Sequence, residues 1–174
     1  MFLRRIIGAA GLEASLFQEV KHDPVATAQG LIIVLTVALV TGLVGAPKFA
    51  WALVAARVLW VLAVFIFLSL VIHWTGVKFF GGRATRWEAI RCTGFAYAPM
   101  LLMVLAFIPP VGEVLVWISL AWALVAMVAA VREALSVESA RAVAVAITGW
   151  GITLALTAAL VAVGLGIGPG MMLF

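Results

Sequence analysis

His73 closes an apolar run and is followed by Trp74. A histidine on a membrane helix is the residue type that ligates haem or a chlorophyll-type pigment. No second histidine falls in an apolar run, and His22 lies in a polar link. The alternative for His73 is a hydrogen-bonded polar group at the membrane interface. Arg57 is the one charge well inside an apolar segment, and an intramembrane arginine needs a partner. Glu113 is the acidic residue nearest that end, so an Arg57–Glu113 ion pair is expected, with snorkelling to headgroups as the alternative. Cys92 stands near an interface, where it is either a small buried thiol or an acylation site. A single cysteine excludes an intrachain disulfide. No Ser/His/Asp, Cys/His or paired-carboxylate arrangement and no metal-ligand spacing is present. The expectation is a non-enzyme with no catalytic residue, no metal and no cofactor, His73 being the one position that would hold a pigment or haem.

Four of the eleven basic residues cluster in the stretch Trp74–Pro99, namely Lys78, Arg83, Arg86 and Arg91. They form a candidate contact surface for anionic lipid or an acidic partner. They serve equally to fix topology by snorkelling to phosphate. This stretch is the longest break between apolar segments and reads as a loop. Gly76, Gly81 and Gly82 allow its turns. Thr85-Arg86-Trp87-Glu88 fits a capping box, with Thr85 as N-cap and Glu88 at N3. Pro99 is expected to kink the helix that follows. Gly94 and Ala98 are spaced for close helix contact.

The elements that position these residues are membrane spans. The chain is 67% hydrophobic and only 10% charged, against roughly 25% charged in a soluble domain. Five segments of about 20 apolar residues fit, at about 25–44, 49–72, 92–108, 113–131 and 140–163. Gly45-Ala46-Pro47 and Pro109-Pro110-Val111-Gly112 read as hairpins, and Arg132–Ser139 as a short polar link. Asp23 is a good N-cap for the first span, with Pro24 behind it. An apolar Gly-rich tail covers 165–174. The fold class is therefore all-α membrane protein with five transmembrane helices.

Residues 1–22 precede the spans as one amphipathic helix. Phe2, Leu3, Ile6, Ile7, Ala10, Ala14, Phe17 and Val20 share a face at 100° per residue, while Leu12 and Leu16 fall outside it. It lies either in the cytoplasmic interface or against the protein's own spans. Arg4, Arg5, Lys21, Lys78, Arg83, Arg86, Arg91, Arg132 and Arg141 fall on one side of the spans, and Lys48 and Arg57 towards the other. The positive-inside rule then puts the N-terminus in the cytoplasm and the C-terminus outside, in an inner (cell) membrane. The net charge of +4 is spread along short loops, which points to lipid headgroups and away from nucleic acid. Trp51, Trp74, Trp87 and Trp117 suit the interfacial belts, while Trp60, Trp122 and Trp150 lie deeper and should pack between helices or face a neighbour. Gly151, Ala155 and Ala159 line one face of the last span.

Three groups of residues resemble a known family. They are Phe17-Gln18-Glu19-Val20 with Asp23-Pro24, then Gly76-Val77-Lys78-Phe79-Phe80-Gly81-Gly82 with Gly94-Phe95-Ala96-Tyr97-Ala98-Pro99, and then Arg132-Glu133-Ala134-Leu135 with Ser139-Ala140-Arg141-Ala142. Together, from about Phe17 to Trp150, they resemble the Yip membrane-protein family. The resemblance implies a five-span α-helical fold with a cytoplasmic N-terminus. Eukaryotic members interact with Rab-type GTPases and organise secretory-pathway membranes. This chain lacks their long N-terminal region and looks more like the short bacterial members, and no catalytic residue carries over. The expected function is a non-catalytic membrane scaffold or organiser, with membrane lipids, other membrane subunits or a second copy as partners. The alternative is an accessory subunit of a larger respiratory, photosynthetic or transport complex. A channel or transporter fits less well, because the spans carry almost no intramembrane charge.

Overall fold

The computed structural model describes residues 1–45, 51–108 and 111–162. Ala46-Pro47, Lys48, Pro109-Pro110 and the tail 165–174 lie outside the described residues. The described chain is helical. Seven α-helices run in the order α1 (Phe2–Ala10), α2 (Ala14–His22), α3 (Ala26–Gly45), α4 (Trp51–Phe80), α5 (Arg86–Ala96), α6 (Gly112–Leu135) and α7 (Ser139–Ala162), with a 3-10 helix over Ala98–Phe107 after α5. Five segments among the described residues are long and apolar enough to cross a membrane: α3, α4, α5 joined to the 3-10 helix, α6 and α7.

The N-terminal segment is two helices rather than one. The break falls at Gly11-Leu12-Glu13, where Leu12 takes a left-handed backbone with φ 60°. The amide of Glu13 turns back to the Gly8 carbonyl at 3.0 Å. This break explains the two leucines that fit no single stripe. Leu16 is buried because α2 presents a different face from α1. Phe17 and Val20 are fully enclosed, and α2 packs on α5 and α6. The α2 face thus lies on protein. On α1, Leu3 and Ile7 remain 69% and 63% exposed, while Ala9 and Arg5 are buried.

Helix α4 is longer than its apolar run. Nothing between His73 and Phe80 stops the helix, and Gly76 lies directly against the Leu135 side chain, with no space for a Cβ. The stop comes at Gly81, whose φ of 70° folds the chain back so that the Gly82 amide donates to the Gly76 carbonyl at 2.9 Å. At a rise of about 1.5 Å per residue, its 30 residues exceed the roughly 30 Å hydrocarbon core by about 15 Å. The presumed loop from Trp74 to Pro99 therefore shrinks to 81–85. Similarly, α6 extends to Leu135 and leaves only 136–138 as the link to α7.

Span three begins where the capping box puts it. The Glu88 amide donates to the Thr85 hydroxyl, and the Thr85 amide to the Glu88 carboxylate at 2.6 Å. Pro99 does more than kink the span. Without an N–H it cannot continue the i→i−4 ladder. The bonds switch to i→i−3 from Tyr97 onward, the amide of Met100 reaching the Tyr97 carbonyl at 2.9 Å. Above the switch, α5 crosses α3 with Gly94 against Gly30: a Cβ on Gly94 would stand 3.1 Å from the Gly30 Cα. Ser69 and Thr93 share a buried hydrogen bond of 2.7 Å between α4 and α5, and Phe65 meets Tyr97 edge to face.

Candidate functional site

The C-terminal ends of α4 and α6 meet the N-terminal ends of α3, α5 and α7 at one end of the bundle. This basic end holds most of the charge and is the candidate site. Its framework is the α1–α2 pair. Arg5 is 3% exposed and is the hub. Its guanidinium donates to Glu19 at 2.7 Å, to Gln29 at 2.8 Å and pairs with Asp23 at 2.7 Å. Burial opposes the charge on Arg5, but the two carboxylates outweigh it and raise its pKa. Arg5, and then the Val25 amide at 2.9 Å, hold Asp23 below the usual carboxylate range. Asp23 also caps the entry to α3, as expected from its position before Pro24.

Two further cations close helix ends. Lys21 donates to the Ser136 hydroxyl at 2.9 Å and to the Glu133 carbonyl at 3.3 Å, at the C-terminus of α6 where orphan carbonyls concentrate negative charge. Ser136 terminates α6 in a left-handed conformation with φ 54°. Arg91 donates to the Lys21 carbonyl at 2.6 Å and to the Thr27 hydroxyl at 3.1 Å. Arg91 is therefore turned inward, tying α5 to α2 and α3.

The other three expected cations face outward. Lys78 lies 4.8 Å from the Trp74 ring centre and 5.8 Å from that of Phe79, within cation–π reach. Arg83 is exposed, and its backbone amide anchors the 81–85 turn to the Leu135 carbonyl at 2.9 Å. Arg86 is exposed on the first turn of α5 beside Trp87. Trp74, Phe79 and Trp87 are all more than half exposed. The result is a rim of cations with exposed aromatic rings, the combination that suits a headgroup layer.

His73 is half-buried on α4, its Nδ1 enclosed and without a hydrogen-bond partner among the described residues. His22 is exposed at the end of α2. No group of three or more potential metal ligands occurs among the described residues. Arg57 is 6% exposed and packs its aliphatic stem against Gly42 of α3. Glu113 is exposed on the first turn of α6. Ion pairs among the described residues include Arg5–Glu19, Arg5–Asp23 and Arg132–Glu133. Cys92 is fully buried, its thiol 3.7 Å from the Phe17 carbonyl. Trp122 donates its indole N–H to the Ala10 carbonyl at 2.9 Å. The sequence reading missed the Arg5 and Lys21 networks. Both depend on the turn at Leu12, which no residue pattern marks except Gly11.

No curated protein and no solved structure matches the chain. The family model described as Yip1 domain matches residues 14–161. That range takes in α2, every spanning helix and the inward ties of Lys21 and Arg91, so the chain belongs to the Yip1 domain family.

Proposed function

We propose that this membrane protein is a non-catalytic organiser that works through its basic end, docking on anionic headgroups of the cytoplasmic membrane surface. The observation that carries this reading is the rim of Lys78, Arg83 and Arg86 with Trp74, Phe79 and Trp87, all exposed and none needed to hold the helices together. Arg5, Lys21 and Arg91, by contrast, are used internally. Each rim cation near an anionic surface contributes about 1 kcal/mol. This reading takes the N-terminus as cytoplasmic, on the positive-inside distribution.

The test is extraction of the protein with its surrounding lipid in polymer-bounded discs, followed by lipid analysis. The wild-type chain should retain phosphatidylglycerol above its membrane average. The triple change Lys78→Gln, Arg83→Gln, Arg86→Gln should bring that retention down to the average while leaving thermal stability intact. Equal retention in both would sink the lipid-docking role. Stoichiometric co-purification of another membrane subunit would support the accessory-subunit alternative instead. Impermeant thiol labelling of Glu138→Cys in a Cys92→Ala background checks orientation, and modification should require a broken cell.

A further inference from the structure

Helices α3, α4, α6 and α7 do not close on one another around Tyr97 and Met100. They leave a cavity of about 420 Å³, within the range of small-molecule sites. Its walls include Val61, Leu68, Met100, Leu120 and Leu154, and among the described residues no ionisable side chain other than Tyr97 lines it. An ion there would lack a counter-charge, so any occupant is neutral and largely apolar.

The polar groups at the cavity are unevenly matched. Thr153 and Thr41 already donate to the Gly149 and Val37 carbonyls of their own helices. Tyr97 lines the cavity, and its hydroxyl makes no hydrogen bond among the described residues. Trp150 lines it too, and its Nε1 is enclosed with no acceptor. Both aromatic donors thus lack acceptors in a setting where hydrocarbon offers none, and only the Tyr97 hydroxyl is offered to an occupant, because the Trp150 Nε1 is sealed from the space. Each lies about 16 Å along its segment from the basic end, counted from Arg86 and from Ser139. Half of a hydrocarbon core is about 15 Å, so both donors sit near the bilayer midplane. A phospholipid brings only methylenes to that depth, because its ester carbonyls stay below the headgroup. An acceptor at the midplane belongs to a molecule without a charged head.

We infer that the cavity binds a neutral, ring-borne carbonyl lipid of the prenyl-quinone class, its carbonyl oxygen accepting from Tyr97 with Trp150 alongside. The inference is independent of the lipid-docking role of the rim. It is tested by native mass spectrometry of the full chain in detergent with decylubiquinone, and in parallel with dioctanoylglycerol. One quinone per chain should be retained in a saturable manner. Tyr97→Phe keeps the ring and removes only the hydroxyl, and should weaken retention about tenfold, the scale of one lost hydrogen bond. Ala121→Trp, at an exposed position on the cavity wall, should abolish it by filling the space. Thermal midpoints measured without ligand confirm that the variants fold. Retention of dioctanoylglycerol equal to that of the quinone, or quinone retention indifferent to both changes, would overturn the assignment.

Discussion

Arg5 carries more of the N-terminal architecture than any other side chain. It ties α1 to α2 through Glu19 and to the entry of α3 through Asp23 and Gln29. Arg5→Ala is expected to lower hydrogen-exchange protection of residues 2–22 by about tenfold, the scale of a charge-assisted bond, with the spans unaffected. The clamp is also pH-dependent, and Asp23 sets the sign. Its pKa lies lower folded than unfolded, so its contribution is complete above the ordinary carboxylate pKa of about 4 and is lost as pH falls through the depressed value. Protection of α1 should therefore be flat from pH 7 to about pH 4 and decline below that. Asp23→Asn should lower it at neutral pH and remove the acid transition. A transition unchanged in that variant would assign the titration elsewhere.

At the scale of elements, span three is unusual in its second half. A 3-10 helix rises about 2.0 Å per residue against 1.5 Å for an α-helix. The ten residues Ala98–Phe107 thus cover about 20 Å rather than 15 Å. Pro99→Ala restores the missing donor and should let α5 continue, shortening the span by about 5 Å. Spin labels at Trp87→Cys and Ile108→Cys in a Cys92→Ala background would read that change as a distance. An unaltered distance would mean that packing, and not Pro99, sets the 3-10 geometry. The Gly30–Gly94 crossing offers a second test. Gly94→Val has no space between α3 and α5 and should cost about 1–3 kcal/mol. Gly151→Val, where a Cβ meets nothing within 4 Å, should change stability by less than about 0.5 kcal/mol. Thermal unfolding of both in the same detergent decides it.

Much of this level is legible in the residues. Span one, the capping box at Thr85–Glu88, the Asp23 cap and the close approach at Gly94 follow from local chemistry alone. The misses share a cause. Hydropathy ends a span where polar residues begin, yet His73, Thr75 and Lys78 are adequate helix formers, and only Gly81 stops α4. The turn at Leu12 asks a leucine to adopt a left-handed backbone. Besides the local bond from the Glu13 amide to the Gly8 carbonyl, the long-range ties of Arg5 and the burial of Phe17 favour that, and beyond Gly11 no residue pattern announces it. The inward use of Lys21 and Arg91 was hidden for the same reason, since their partners at Ser136, Glu133 and Thr27 are distant in sequence.

For the whole molecule, the contact between Trp122 and Ala10 has a geometric consequence. Ala10 meets α6 about 20 Å along its axis from Leu135, so α1 reaches far below the basic end while Leu3 and Ile7 stay bare on its outer side. Among the described residues, two helices, each about 10 Å across, therefore add to the cross-section of the half with the basic end and not to the other. Such an inclusion is a truncated cone, and a flat bilayer fits it only by giving its two leaflets unequal areas. The protein should accordingly partition by membrane curvature. Reconstituted into vesicles of mixed size, it should enrich in one size class, and deletion of residues 1–11 should erase the preference without unseating the five spans.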